Sequence, residues 1–210
     1  MLMIPGETLW LLFGASIALA LAPGPDNLFV LAQSALHGRT AGVQVTLGLC
    51  TGLAVHTAAV ALGVAAIVQT SAVAFSALKF VGVGYLLYLA WHAFRAGKAN
   101  VERDENPQPS GRSLYLRGVV MNVTNPKVAI FFLAFLPQFA DPALGSVALQ
   151  LACFGAVFAV AALIVFVSLS FAAGSLGAWF SRSSRAQTAL NRIAGTVYVA
   201  LALRLAVSER

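Results

Sequence analysis

The stretch Leu21–Phe29, "LAPGPDNLF", interrupts a long apolar run, and its reading decides the fold. Two prolines, a glycine, an aspartate and an asparagine fill Pro23 to Asn27. Pro23 and Pro25 each remove a helix hydrogen bond and Gly24 lets the backbone turn, so a helix stops here and restarts. Asp26 and Asn27 suit the cap of the restarted half-helix, whose free N–H groups carry partial positive charge. Such a break leaves carbonyls free on one side and amides on the other. In lipid, backbone of that kind survives only where protein or a water-filled cavity covers it.

The composition places the flanks of this break in lipid. The chain has 210 residues, of which 60% are hydrophobic and 10% charged, with a mean hydropathy of +0.86. Soluble domains carry about a quarter charged residues, and several apolar runs here approach or exceed the ~20 residues that span a bilayer. The sequence therefore predicts an all-α integral membrane protein with no separate soluble domain. Six segments are legible: 8–36 (broken at Pro23–Pro25), 43–69, 72–96, 114–138 (broken at Asn125-Pro126), 145–173 and 188–207. Each is read as a helix, because lipid satisfies no backbone groups and the runs are too long for barrel strands. Ala20-Leu21-Ala22 imitates a signal-peptidase site, but no basic region precedes it and Pro23 follows the bond, so the N-terminus is expected to remain uncleaved.

One polar linker, Gly97–Ser113, divides the chain into three spans plus three: repeat 1 over 1–97, linker 98–113, repeat 2 over 114–210. "ALKFVGVGYLLYLA" (Ala77–Ala90) aligns without gaps on "ALNRIAGTVYVALA" (Ala189–Ala202), sharing Ala77, Leu78, Leu89 and Ala90 at one offset. A duplicated unit with an odd number of spans enters the membrane in opposite senses, which predicts two inverted three-helix repeats with broken first helices. With the N-terminus outside, nine Lys and Arg residues lie on the inner side, Arg39, Arg95, Lys98 and Arg185 among them. Only Lys79, Arg204 and Arg210 lie outside, and Lys127 is within a span. The basic excess thus reads as topology, with a cytoplasmic linker, rather than as a nucleic-acid surface.

The second break, Asn125-Pro126-Lys127, falls in the corresponding span of the second half. Proline-interrupted segments at equivalent places in two halves point to a transporter binding site. One break carries an acid and the other a base. Together they suggest a polar chamber for a zwitterion, with substrate carboxylate toward Lys127 and half-helix amides, and ammonium toward Asp26 and freed carbonyls. The plainer alternatives are a solvated cap for Asp26 and a snorkelling Lys127. Against them stands the cost of an intramembrane charge, about 2.5 to 3.5 kcal/mol on insertion scales. His56, mid-span, is open to a proton-relay, cavity-lining or packing role. Gly48 and Gly52 form a small-xxx-small packing face. Tyr85 and Tyr88 read as packing residues unless they face the cavity, and Trp10 and Trp179 read as interfacial anchors.

"APGPDNLFVLAQSALHGRTAG" (Ala22–Gly42), "GVGYLLYLAWHAFRAG" (Gly82–Gly97) and "NPKVAIFFLAFLPQF" (Asn125–Phe139) resemble the lysine exporter (LysE) family, most closely its RhtB-like branch of homoserine, threonine and neutral amino-acid efflux proteins. The resemblance covers nearly the whole chain. It implies a six-helix inner-membrane exporter of amino acids driven by the proton gradient, with family motif positions at Pro23, Gly24, Pro25, Asn125, Pro126 and Lys127. Ala22 stands where that branch often has threonine, which removes a hydroxyl available for substrate contact. The expected function is export of a small amino acid or derivative by proton antiport, with Asp26 as proton carrier. Its partners are the amino acid, protons and the bilayer, with room for a homodimer and no nucleic acid, metal or cofactor. A rival is a thiol–disulfide electron carrier using Cys50 and Cys153, which lie in the second spans of the two halves but at neither break. An intramembrane hydrolase lacks a nucleophile–base pair around His56. A passive channel is distinguished by failure to transport against a gradient.

Overall fold

The structure is a computed structural model, and it describes residues 4–65, 71–96, 109–182 and 184–207, with the side chains of 64, 72 and 174–186 outside the description. Most of the linker, 97–108, and the side chain of Trp179 therefore lie outside the described residues. Every regular element among the described residues is a helix. Helix α1 spans Gly6–Leu21 and α2 spans Pro25–His37. They meet at 61°. The turn follows from local chemistry. Pro23 keeps Ala22 out of the helical region (φ −59°, ψ 123°), while Gly24 is the extended N-cap and Pro25 takes the first helical position, where no amide is needed. Gly38 ends α2 at φ 83°, a conformation side chains resist.

Helix α3 covers Arg39–Ala59 and runs on through a π-helical turn, Val60–Val64. Helix α4 covers Ala72–Arg95, capped by the Ser71 side chain, and α5 covers Gly111–Val123, capped by Ser110. After the second break α6 starts at Pro126–Ile130 and continues as a π turn (Phe131–Phe135) and a 3-10 turn (Leu136–Phe139). The bend between α5 and this segment is 48°. Helices α7 (Val147–Arg182) and α8 (Ser184–Val207) complete the bundle. Among the described residues, four helices are long and apolar enough to cross a membrane, and six spans result if each bent pair is one. The outward faces are apolar too: Trp10, Leu62, Val73 and Val207 are each more than 70% exposed. Apolar surface of this extent marks contact with lipid rather than water.

The core depends on close backbone approach. A Cβ on Gly48 would overlap the Tyr115 carbonyl, and one on Gly118 would sit 2.5 Å from the Val45 carbonyl oxygen. Helices α3 and α5 therefore touch backbone to backbone, the most extensive pairing of two helices among the described residues. The next pairings are α4 on α8, α3 on α7, and the α1–α2 span on α7. Beyond the breaks, away from the end where α4 finishes and α5 begins, phenylalanines fill the centre. Phe131 stacks on Phe135 with ring centroids 4.8 Å apart, and Phe158 lies 5.2 Å from both Phe131 and Phe132.

Candidate functional site

The two breaks meet inside the bundle, and their polar groups bond across to each other. Asp26 is 2% exposed. It does not cap α2, as its position at the restart suggested; Gly24 occupies the cap and no side chain bonds there. The carboxylate instead accepts hydrogen bonds from the Asn125 Nδ2 amide (2.9 Å) and the Asn122 Nδ2 amide (3.2 Å), both from the second half. It also sits in the first turn of α2, where the helix dipole favours negative charge. Asn27 likewise turns away from capping and donates to the Ala20 carbonyl at 2.6 Å, satisfying one acceptor that the break sets free.

Lys127 answers from the other side. Its ammonium donates to the Leu19 carbonyl (3.3 Å) and the Ala22 carbonyl (3.1 Å), at the C-terminal end of α1. A cation there is favoured by the helix dipole and meets the acceptors α1 can no longer use. With 8% exposure, the side chain does not snorkel to the surface. Asn125 caps α6 by accepting from the Lys127 backbone N–H at 3.0 Å, while its amide holds Asp26. The acid and base thus have separate partners, and no direct hydrogen bond joins them. The freed carbonyls expected to meet a substrate ammonium are already occupied by Lys127. Gly24 is close-fitted to this arrangement: a Cβ there would lie 3.1 Å from the Lys127 ammonium.

A cavity of about 510 Å³ borders both breaks, lined by Pro23, Gly24, Pro25, Asn125, Pro126 and Lys127. It extends to Ala96 at the end of α4 and Gln187 near the start of α8, so it reaches the linker end of the bundle. Its other wall carries Tyr85, His92, Asn191 and Tyr198. A second pocket of about 10 Å³, roughly the room one water needs, lies deeper among Asp26, Asn122, Lys127, Phe158 and Phe166. Lys127 is the one residue common to both, and it separates the large cavity from Asp26.

His56 lines neither space. Its Nε2 lies 3.1 Å from the Asn122 carbonyl and its ring packs 5.7 Å from Phe132, so it contacts the backbone of a residue that holds Asp26. Cys50 is half-buried and Cys153 exposed, and neither borders the cavity. Tyr88 faces outward, whereas Tyr85 does face the cavity. Sequence reading missed Asn122, although its three-residue spacing from Asn125 puts both amides on one side of the break. It also missed Tyr198, Gln187, Asn191 and His92. Their signal was present: Tyr85 and His92 are two helical turns apart, and Gln187, Asn191 and Tyr198 recur at helical spacing on an otherwise apolar span. Gly52, assigned to helix packing, makes room for the Asn122 side chain, which a Cβ would meet at 2.6 Å.

Two proline-broken spans, cross-bonded through a buried acid, a buried base and two asparagines beside a cavity, define a polytopic helical membrane protein of the discontinuous-helix kind. Residues 17–209 match the family described as LysE type translocator, and the chain belongs to that family. It is 31% identical over 192 residues to the homoserine/homoserine lactone efflux protein of Salmonella typhimurium, covering 91% of this chain and 92% of that one. Similarity to a membrane protein of Pseudomonas aeruginosa, described as uncharacterized, is 30% identity over 195 residues, 90% of this chain and 89% of the other. A Vibrio cholerae membrane protein is 28% identical over 194 residues, 92% of this chain and 94% of its own. No solved structure matches the chain.

Proposed function

We propose that this protein is a secondary active exporter of amino acids or close derivatives, homoserine and threonine among them, working by proton antiport across the inner membrane. Transport rather than catalysis is its chemistry. The observation that carries the reading is a cavity of about 510 Å³ that borders both breaks and has a buried lysine in its wall. Family membership and efflux-protein relatives support it. The cavity reaches the linker end, which the Lys and Arg distribution assigns to the cytoplasm, as export requires.

The inverted-repeat layout, 1–97 and 114–210 about the 98–113 linker, is supported by how the spans pair. Exchanging the halves turns the α3–α5 pairing into that of α7 with the first span, and both are extensive. The α3–α7 and α4–α8 pairings map onto themselves. In the proposed cycle a substrate carboxylate in the cavity competes with the Leu19 and Ala22 carbonyls for the Lys127 ammonium. Drawing Lys127 away opens the path to Asp26, whose protonation state then couples to loading. Pro23, Gly24, Pro25 and Pro126 hold the backbone open around this exchange, Asn27 and Asn125 keep its free ends bonded, and His56 braces Asn122.

Counterflow in proteoliposomes with a panel of labelled amino acids tests the reading. Exchange of homoserine or threonine, accelerated by an imposed pH gradient, is the expected result. Absence of exchange for every amino acid overturns the exporter; exchange insensitive to the pH gradient overturns proton antiport alone.

A further inference from the structure

The wall of the cavity opposite the breaks carries polar groups that the exporter reading leaves without a task. On α8 these are Gln187, Asn191 and Tyr198, and on α4 Tyr85 and His92. Their depths differ. Tyr198 lies 11 residues along α8 from Gln187, and Tyr85 lies 11 residues before Ala96 on α4, in each case about 16 Å of helix. The glutamine, asparagine and histidine therefore belong to the mouth of the cavity, and the two phenols lie deeper in it.

Tyr198 is 2% exposed, and its hydroxyl has no hydrogen-bond partner among the described residues. Among the described residues, the side-chain polar atoms that are both fully enclosed and unpartnered are Asn27 Oδ1 and Asn122 Oδ1. The Tyr198 hydroxyl is not among them, so it reaches open space, and the space it borders is the cavity. The Tyr85 phenol is its electrostatic neighbour, held by stacking on Tyr88 with centroids 5.7 Å apart. The lining also includes Leu28, Leu89 and Ala93, whose side chains offer no competing hydrogen bond.

We infer that Tyr198, assisted by Tyr85, is the specificity-determining residue of the cavity, its hydroxyl selecting amino acids that carry a neutral side-chain oxygen. This rests on the exporter reading. A carboxylate goes to the cation, Lys127, because charge-assisted bonds are the stronger. That leaves a neutral donor across the cavity for a neutral oxygen, such as a side-chain hydroxyl. A substrate lacking that oxygen fills the same space but leaves the phenol unpaired, and sites built to bond a substrate hydroxyl reject the deoxy analogue strongly.

The test compares homoserine with 2-aminobutyrate, the same carbon chain without the oxygen, in proteoliposomes of the full-length protein. Wild type is expected to favour homoserine by about tenfold or more in kcat/KM. Tyr198→Phe, which keeps the ring and loses only the oxygen, should bring that ratio to within about twofold, with the loss falling on homoserine. Tyr85→Phe should lower the ratio less, and Tyr88→Phe, on the outward face, should leave it as in wild type. A Tyr198→Phe ratio equal to that of wild type, or equal losses for both substrates, overturns the assignment while the exporter stands. Transport of neither compound by wild type also overturns the assignment, and the exporter falls with it only if the wider amino-acid panel shows no exchange.

Discussion

At the scale of single residues, each buried charge is held by groups from the opposite break. Asp26 takes the amides of Asn122 and Asn125, and Lys127 takes the carbonyls of Leu19 and Ala22. Asp26→Asn sets an amide against incoming amide donors, and Lys127→Met strips two buried carbonyls of their donor. Each should cost about 1–3 kcal/mol of stability, the usual penalty for an unmet buried polar group. Each should also abolish most pH-driven export. Removing both charges restores neutrality to the interior, so the double mutant should melt above the less stable single mutant while export stays uncoupled. Thermal unfolding in detergent and transport under a pH gradient measure the two effects. Asp26→Asn with normal rate and unchanged pH dependence would remove the proton-carrier role. The charged pair was legible in the sequence because acids and bases are rare in apolar spans and both sit beside prolines. Their partners were not legible, because a hydrogen bond between positions about 100 residues apart depends on how the spans dock.

At the scale of elements, small residues decide which helices meet. Gly48 lies against the Tyr115 carbonyl and Gly118 against that of Val45, so α3 and α5 pack with no side chain between them. Gly48→Ala places a methyl group into occupied space and should destabilise the protein by about 1–3 kcal/mol, the range for overpacking. Gly14, mid-helix in α1 with nothing within 4 Å of an added Cβ, is the contrast. Gly14→Ala should leave the melting temperature unchanged or raise it, since alanine is the better helix former. Equal melting temperatures for the two variants would show that the α3–α5 contact carries little of the stability. The Gly48/Gly52 spacing announced a packing face, but its two glycines serve different neighbours, one a backbone and one the Asn122 side chain. Spacing reports that two positions share a face; it does not report what faces them.

At the scale of the whole molecule, the cavity reaches the linker end while phenylalanines 131, 132, 135 and 158 fill the opposite side of the breaks. Under the charge-derived orientation this is a protein open to the cytoplasm and sealed outward, the state in which an exporter loads. In intact cells, Ser110→Cys in a background lacking Cys50 and Cys153 should resist membrane-impermeant thiol reagents and react once the inner face is exposed. Ala96→Cys, at the cavity mouth, should behave the same way and be protected by saturating substrate. Labelling of Ser110→Cys from outside would reverse the topology.

The sequence by itself determined the class of protein, the number of apolar segments, the two breaks, and which charges lie beside them. These are local properties: proline lacks an amide, lipid offers no hydrogen bonds, and a run of about 20 apolar residues has one stable environment. Only the tertiary structure decided that Asp26 binds amides instead of capping its helix, that Lys127 closes the end of α1, and that Tyr85 and Tyr198 face a common cavity. Those outcomes depend on the approach of distant spans, set by side-chain volume and by the need to satisfy every freed backbone group. No stretch of chain carries that information alone.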